Sequence, residues 1–287
     1  QDAVPIRLGQ EFHAYATAIR RDINRFDRAK EEMRHLNLGG TAIGTGLNAD
    51  VKYLQRVVKN ISLISGLELI QAYDLIDATQ NLDGYVACSG IAKSCAVNLS
   101  KMCNDLRLMS SGPRTGLGEI NLPAKQNGSS IMPGKVNPVI PEVVNQVAFH
   151  VIGNDMTVAM AAEAGQLELN AFEPIIFYKL FQSVETIACA VHTLVDNCIS
   201  GITANEQHCK DMVENSVGII TAICPYVGYE KAANVAKEAI RTGKSVRELV
   251  IRDKLLTKEQ LDIILNPVSM TEPGISGIEA MNKMGGL

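Results

Sequence analysis

The sequence has little of what marks several common classes of protein. It contains no tryptophan in 287 residues and only 5% aromatic residues, so its core must be built from aliphatic and small side chains. It has 27 basic and 31 acidic residues, and the basic ones form no cluster. This argues against nucleic acid or an anionic membrane surface as a partner. We find no signal peptide, and no apolar run approaches the roughly 18 residues that span a bilayer. The nearest stretch, 217–227, is too short.

Cysteine and histidine are placed in ways that favour neither disulfides nor metal. The seven cysteines are odd in number and show no C-x-x-C spacing. Cys88, Cys95 and Cys103 fall within an apolar helical pattern, so we interpret them as small core residues and expect a reducing, cytoplasmic setting. The five histidines lie on separate stretches without metal-ligand spacing. The sequence therefore predicts no metal site.

Long amphipathic patterns are what the sequence has in abundance. Apolar residues recur every three or four positions through four stretches, which predicts four long helices. The predicted spans are 8–36, 85–109, 142–164 and 174–200. Four such rods with modest connections favour an up-and-down bundle. Because β-branched alternation is almost absent, we expect little or no sheet.

The pattern changes near residue 203. Short helical segments follow, separated by glycine, proline and capping residues, and two capping boxes begin at Ser245 and Thr257. The sequence therefore predicts an all-α protein with a central helical-bundle domain over 1–203 and a small helical C-terminal domain over 204–287.

The stretch Gly128–Pro138, with the sequence GSSIMPGKVNP, is the strongest candidate for a functional loop. Gly128 and Gly134 act as hinges that let the backbone approach a ligand closely, and the prolines then stiffen the loop. The loop also carries one fixed positive charge and several small hydrogen-bonding groups. Such a loop is suited to binding a small anion.

Each of these residues also has an ordinary structural interpretation. Ser129 and Ser130 could make turn hydrogen bonds, and Lys135 could be a solvated loop lysine. Asn137 could cap the helix that follows Pro138. The Glu142 carboxylate could be stabilised by the partial positive charge at the N-terminus of that helix. The convergence of lysine, asparagine, two serines and a helix N-terminus favours a carboxylate-binding site.

A second glycine-rich stretch, 44–49, matches the loose dinucleotide pattern G-x-G-x-x-A. That pattern requires a preceding strand and a following helix, and no strand signal precedes it here. A tight turn between helices is the favoured interpretation.

Gly128–Pro138 resembles the signature loop of the aspartase/fumarase superfamily. The flanking segments resemble the aspartate-deaminating branch, in particular SGPR at 111–114, EINLP at 119–123 and VIPEVVNQV at 139–147. Class II fumarases typically carry Thr-Gln-Cys-Glu after the Asn-Pro pair instead. The segments GGTAIGTGLN at 39–48 and GQLELN at 165–170 also suit the deaminating branch.

The resemblance implies a helical homotetramer whose active sites each combine segments of three subunits. The implied reaction is the reversible elimination of ammonia from L-aspartate to give fumarate. No organic cofactor is implied, and a divalent cation is a possible activator. The implied partner is a small dicarboxylate, with neither nucleic acid nor membrane, in the cytoplasm.

The resemblance also implies a role for each matching residue. Ser129 corresponds to the general base that takes the proton from Cβ, and Ser130 to a donor for the carboxylate that becomes the aci-carboxylate. Lys135 and Asn137 correspond to groups that bind a substrate carboxylate. Glu142 corresponds to the carboxylate that the family pairs with a histidine beyond the substrate contacts.

The sequence departs from the family pattern in one respect, because it contains only the third of three signature regions. We therefore expect it to correspond to the C-terminal portion of a family member and to lack part of the active site. Two alternatives remain open: a class II fumarase that hydrates fumarate to malate, and a catalytically incomplete helical fragment with a structural role.

Overall fold

The computed structural model describes residues 1–284 and divides into two compact units. The larger unit is formed by 16–203, and the smaller by 1–15 together with 204–287. Residues 1–15, predicted as part of the bundle domain, are grouped with the C-terminal residues in the structure. The reason is local: Asp2 accepts hydrogen bonds from the Ser216 hydroxyl and the Val217 N–H, which ties the first residues to the smaller unit.

Helices dominate the larger unit, and its strands are only two residues long. In chain order its elements are α1 (Leu8–Glu32, whose first turns lie in the smaller unit), β1 (His35–Leu36), α2 (Val51–Leu54), α3 (Val57–Ser65), β2 (Ile70–Gln71), α4 (Asp77–Gln80), α5 (Asp83–Met109), β3 (Ile120–Asn121), α6 (Val139–Glu163) and α7 (Glu173–Asn197). A 3₁₀ turn (Ile199–Gly201) and β4 (Thr203–Ala204) follow. The expectation of an all-α fold with long packed helices is confirmed.

The core of the larger unit lies where α6 packs along both α5 and α7. α5 contributes small residues to it, among them Ala92, Ala96 and Cys103, and these let the neighbouring helices approach closely. Burial raises the pKa of the Cys103 thiol to about 12, so this side chain stays protonated and uncharged in the core. The described cysteines are all free thiols.

All four long helices have ends that differ from the predicted ones, by up to four residues, and the differences at α1 and α6 have a clear physical reason. α1 ends at Glu32 rather than near residue 36, because His35 and Leu36 pair in parallel with Ile70 and Gln71. α6 begins at Val139, before the predicted start at Glu142. Pro141 is tolerated there because the N–H groups of a helix's first turn have no intrahelical acceptor.

The smaller unit buries its own core. Its elements are α8 (Glu206–Asn215), a 3₁₀ turn (Val217–Ile219), α9 (Ile220–Val227), α10 (Tyr229–Thr242), α11 (Val246–Arg252), α12 (Lys258–Ile264), α13 (Pro267–Met270) and α14 (Ile278–Lys283). Fully buried aliphatic side chains such as Ile223, Leu249 and Leu261 meet at its centre. The capping box at Thr257 is formed in both directions, since Thr257 Oγ1 accepts from the Gln260 N–H and Gln260 Oε1 accepts from the Thr257 N–H.

In the larger unit, α6 and α7 leave a series of large apolar side chains exposed. These side chains include Phe149, Met156, Met160, Tyr178, Phe181 and Val184. Among the described residues, one segment, Glu173–Gly201, is long and apolar enough to cross a membrane by length and composition alone, with a mean hydropathy of 1.2. This corrects the expectation that no run approaches that length, since the segment qualifies on its mean hydropathy although polar residues interrupt it.

Candidate functional site

Backbone pairing closes the loop Gly128–Pro138 at its base. Asn127 and Val136 form an antiparallel bridge, and the Gly128 N–H donates to the Lys135 carbonyl over 2.6 Å. The Asn137 side-chain amide donates to the Gly128 carbonyl over 3.2 Å. The loop is therefore a closed hairpin-like turn that delivers the chain to the N-terminus of α6.

The Ser129 hydroxyl lies at the centre of this turn. Its Oγ accepts hydrogen bonds from the backbone N–H groups of Ile131 and Met132, each over 3.1 Å. This is the turn chemistry that the ordinary interpretation of the serine predicted. The same two donors also create a positive electrostatic environment at Oγ, which would stabilise a negative charge on that atom.

The two predicted hinge glycines are needed for different reasons. A Cβ on Gly128 would lie 2.9 Å from the Lys135 carbonyl oxygen and 3.0 Å from the Asn137 backbone nitrogen, so a side chain there would push the two strands of the loop apart. Gly134 has open space around it but a φ of +77°, which disfavours other residues. Gly128 is therefore required because other atoms of the loop lie too close for a side chain, and Gly134 is favoured because its φ is positive.

The structure places the predicted binding residues along the same turn. Ser130 and Lys135 are exposed, whereas Ser129 and Asn137 are half-buried. Asn137 is held by its bond to Gly128, which uses one of the two N–H groups on Nδ2 and leaves the other as a donor. The loop thus groups the four side chains on one short segment, but it does not enclose them.

Glu142 lies in the first turn of α6 and is only half-buried. Its Oε1 is 3.9 Å from Nη2 of Arg107, a residue near the end of α5. The family resemblance pairs this carboxylate with a histidine, whereas the ion pair described within this chain is with an arginine. Sequence reasoning missed Arg107, because no local motif marks a residue that meets its partner 35 positions along the chain.

A buried amide lies next to this ion pair. Arg107 Nη1 donates to Asn145 Oδ1 over 3.3 Å. The Nδ2 of Asn145 is close to three acceptors on α5: the Ser100 carbonyl at 3.0 Å, the Ser100 hydroxyl at 2.8 Å and Asn104 Oδ1 at 3.1 Å. The start of α6 is therefore attached to α5 by a polar network within an otherwise apolar contact.

The larger cavities lie elsewhere. Cavities of about 610 and 640 Å³ are lined by residues of the smaller unit and contain none of the loop residues. Within residues 1–284, no group of three or more histidine, cysteine, aspartate or glutamate side chains has an arrangement that could hold a metal ion. The candidate loop itself offers a serine hydroxyl at Ser129, a side-chain amide at Asn137 and an ammonium group at Lys135.

Two family comparisons cover most of the chain. Residues 1–153 match the family described as "Lyase", and residues 219–272 match "Fumarase C C-terminus". Similar curated proteins are named aspartate ammonia-lyase: those of Bacillus subtilis and Escherichia coli are 56% and 50% identical over 99% and 95% of this chain. The chain spans 60% and 57% of the length of these two relatives.

Solved structures show the same fold. A fumarate lyase:delta crystallin from Brucella melitensis, bound to cobalt, has a TM-score of 0.91 and 51% identity, with 95% of this chain and 59% of that chain covered. A class II fumarase from Schistosoma mansoni has a TM-score of 0.89 and 32% identity, with 95% and 60% covered. The helix arrangement is therefore common to proteins that differ in their named reaction.

Proposed function

This chain belongs to the lyase family, and from that premise we propose that it carries the proton-abstracting part of an aspartate ammonia-lyase active site. The reaction is the reversible conversion of L-aspartate to fumarate and ammonia. Identity above 50% to several proteins of that name supports this choice, against 32% to the class II fumarase. Because the chain spans about 60% of those relatives, the activity of the whole protein is itself part of the proposal.

Ser129 is the proposed general base, and one observation carries this assignment: its Oγ accepts two backbone N–H groups, each over 3.1 Å. A serine hydroxyl is a poor base until its oxyanion is stabilised. The Ile131 and Met132 amides supply that stabilisation at fixed positions, at no reorganisation cost during the reaction. The Ser129 hydroxyl first gives its proton to solvent water, which reaches the exposed loop. The resulting oxyanion then takes the Cβ proton of aspartate, and the electron pair of that C–H bond moves onto the adjacent carboxylate.

The resulting aci-carboxylate carries two negative charges, so it needs nearby donors and positive charge. Ser130 is the proposed hydrogen-bond donor to this group. Lys135 and Asn137 are the proposed ligands of a substrate carboxylate, since an ammonium and a side-chain amide donate well to carboxylate oxygens. When the intermediate collapses, the C–N bond breaks and ammonia leaves, so fumarate forms.

Glu142 is proposed to act indirectly, by orienting a histidine as the family resemblance implies. The reaction needs no organic cofactor, because the substrate carboxylate accepts the electron pair. A divalent cation as an activator remains a hypothesis. One similar structure, the fumarate lyase:delta crystallin from Brucella melitensis, is bound to cobalt.

The assembly is proposed to be a homotetramer in which segments of different subunits complete each site. Two observations support this. The apolar side chains of α6 and α7 are exposed in the single chain, and exposed apolar surface of this kind marks an interface. The loop residues at 130–136 are also exposed, so a single subunit does not enclose a substrate.

The proposal is tested with the full-length protein that carries this sequence. L-aspartate and L-malate are supplied as substrates in separate reactions, and fumarate formation is followed by ultraviolet absorbance. We expect turnover of aspartate and none of malate. Turnover of malate alone would identify a fumarase instead. Activity on neither substrate, from a protein that still assembles as a tetramer, would support the alternative of a catalytically incomplete helical protein with a structural role.

A further inference from the structure

We propose that Arg107 and Asn145 are positioning residues that fix the carboxylate of Glu142. This inference rests on the proposed function, because it assigns a reaction role to groups that surround the loop. It extends the site from the signature loop to α5, a helix that contributes no residue to the loop itself.

The first step of the argument is that Asn145 cannot rotate freely. Its side chain is only 3% exposed, and its Nδ2 faces acceptors on Ser100 and Asn104. A flipped amide would place its oxygen against these oxygens and leave buried groups unpaired, which is costly. The amide oxygen of Asn145 is therefore fixed in the direction of Arg107.

The second step is that the fixed amide orients the guanidinium. Arg107 Nη1 donates to Asn145 Oδ1 over 3.3 Å, while Nη2 of the same planar group lies 3.9 Å from Glu142 Oε1. The rigid fork of an arginine can contact two acceptors at once, which a lysine ammonium does with less directional control. The positive charge is thus held beside Glu142 rather than left to sample solvent.

The third step concerns where Glu142 lies. It is in the first turn of α6, directly after the loop that carries Ser129, Lys135 and Asn137. An isolated exposed ion pair is worth little. This pair differs because one partner is attached to a buried network, so its geometry is maintained without substrate. A group that hydrogen-bonds to the Glu142 carboxylate is then also held in a fixed position.

The test compares Arg107→Met and Arg107→Lys with the unchanged full-length protein in steady-state deamination of aspartate. Arg252→Met is the matched control, because Arg252 is 43% exposed against 41% for Arg107 and pairs with Glu238 in the smaller unit. We expect Arg107→Met to lower kcat about tenfold to a hundredfold, as for a small misplacement of a catalytic group, and to change KM less than about twofold. Arg107→Lys should recover part of kcat, and Arg252→Met should leave kcat unchanged.

A kcat for Arg107→Met equal to that of the unchanged protein would overturn the inference while leaving the proposed function intact. So would a loss that Arg107→Lys does not relieve, since that would indicate packing rather than charge. If the unchanged protein deaminates no aspartate, the proposed function fails, and a crystal structure of Arg107→Met still tests the inference. Displacement of the Glu142 carboxylate would support it, and an unmoved carboxylate would refute it.

Discussion

The two units of this protein bury their apolar residues in different ways. The smaller unit encloses a core of aliphatic side chains and closes its short helices with side-chain caps at Ser216, Ser245, Thr257 and Asn266. The larger unit has longer helices, yet α6 and α7 leave phenylalanine, methionine and tyrosine side chains exposed. The candidate site and its supporting network both lie in the larger unit.

This difference indicates that the smaller unit is organised for its own stability and the larger unit for association. A unit of short helices gains stability from its own core and caps, because short helices are marginal alone. A unit of long helices can leave apolar surface for association, and a site at its end can then be completed by a neighbouring chain. Substitutions in the larger unit should therefore change chemistry or assembly, and those in the smaller unit should change stability.

The largest expected effect is at Ser129 in the larger unit. Ser129→Ala removes the proposed base and should lower kcat by about 10²–10⁴-fold, the range typical of a lost acid–base group. Steady-state kinetics with aspartate measures this. Ser200→Ala, which removes a hydroxyl that donates to the Val195 carbonyl, is the control and should retain full activity. Near-normal turnover by Ser129→Ala would remove the serine from this role.

Phe181→Glu tests whether the exposed apolar side chains of α7 form an interface. Burying an unpaired carboxylate costs several kcal/mol, so the dissociation constant of the assembly should rise by about a hundredfold or more. Sedimentation velocity over a concentration series measures this. Tyr229→Glu places the same charge at an exposed aromatic position of the smaller unit and should leave assembly unchanged. Equal assembly of both variants would contradict the comparison.

Leu261→Ala tests the core of the smaller unit. Leu261 is fully buried, and its truncation should lower the free energy of unfolding by about 2–5 kcal/mol through lost burial and a residual cavity. Urea denaturation followed by circular dichroism measures the change. The exposed Ile240 of the same unit gives the control, since Ile240→Ala should cost far less. A similar loss in both variants would argue against a tightly packed core.

Lys135→Ala should act mainly on binding. Loss of a charge-assisted hydrogen bond of about 1.5–3 kcal/mol should raise KM for aspartate about tenfold or more, with a smaller change in kcat. Lys125→Ala removes the same charge from the segment just before the loop and serves as the control. An unchanged KM for Lys135→Ala would remove this lysine from the substrate contacts.

The smallest expected effect concerns the cap of α12. Thr257→Ala removes the acceptor for the Gln260 N–H and should lower the free energy of unfolding by about 1 kcal/mol. Thr257→Ser keeps the hydroxyl and should restore most of that loss. Both values come from the same urea experiment. Full stability of the alanine variant would show that the capping box contributes nothing measurable.

Features that depend on local pattern were predictable from the sequence. Apolar spacing gave the four long helices, and the Ser/Thr-x-x-Glu/Gln spacing marked the caps at Ser245 and Thr257. The loop was identified by its own composition. The roles of its residues stay predictions, since the geometry supports Ser129 without testing it.

Features that depend on distant partners were not predictable. The early end of α1 follows from pairing with Ile70 and Gln71, which no local pattern reveals. The short helices α2, α3 and α4 lie within 51–80, for which the sequence pattern predicted no element. Arg107 and Asn145 resemble ordinary helix residues until α5 and α6 are placed side by side. Only three-dimensional packing identifies such residues.

The two amide contacts to Ser129 have a consequence for proton transfer. A hydroxyl oxygen has two lone pairs, and here the Ile131 and Met132 N–H groups engage both. Loss of the hydroxyl hydrogen would create a third lone pair on Oγ that neither amide occupies. In this turn the neutral side chain is therefore a poor proton acceptor, whereas its ionised form has a lone pair with which to accept.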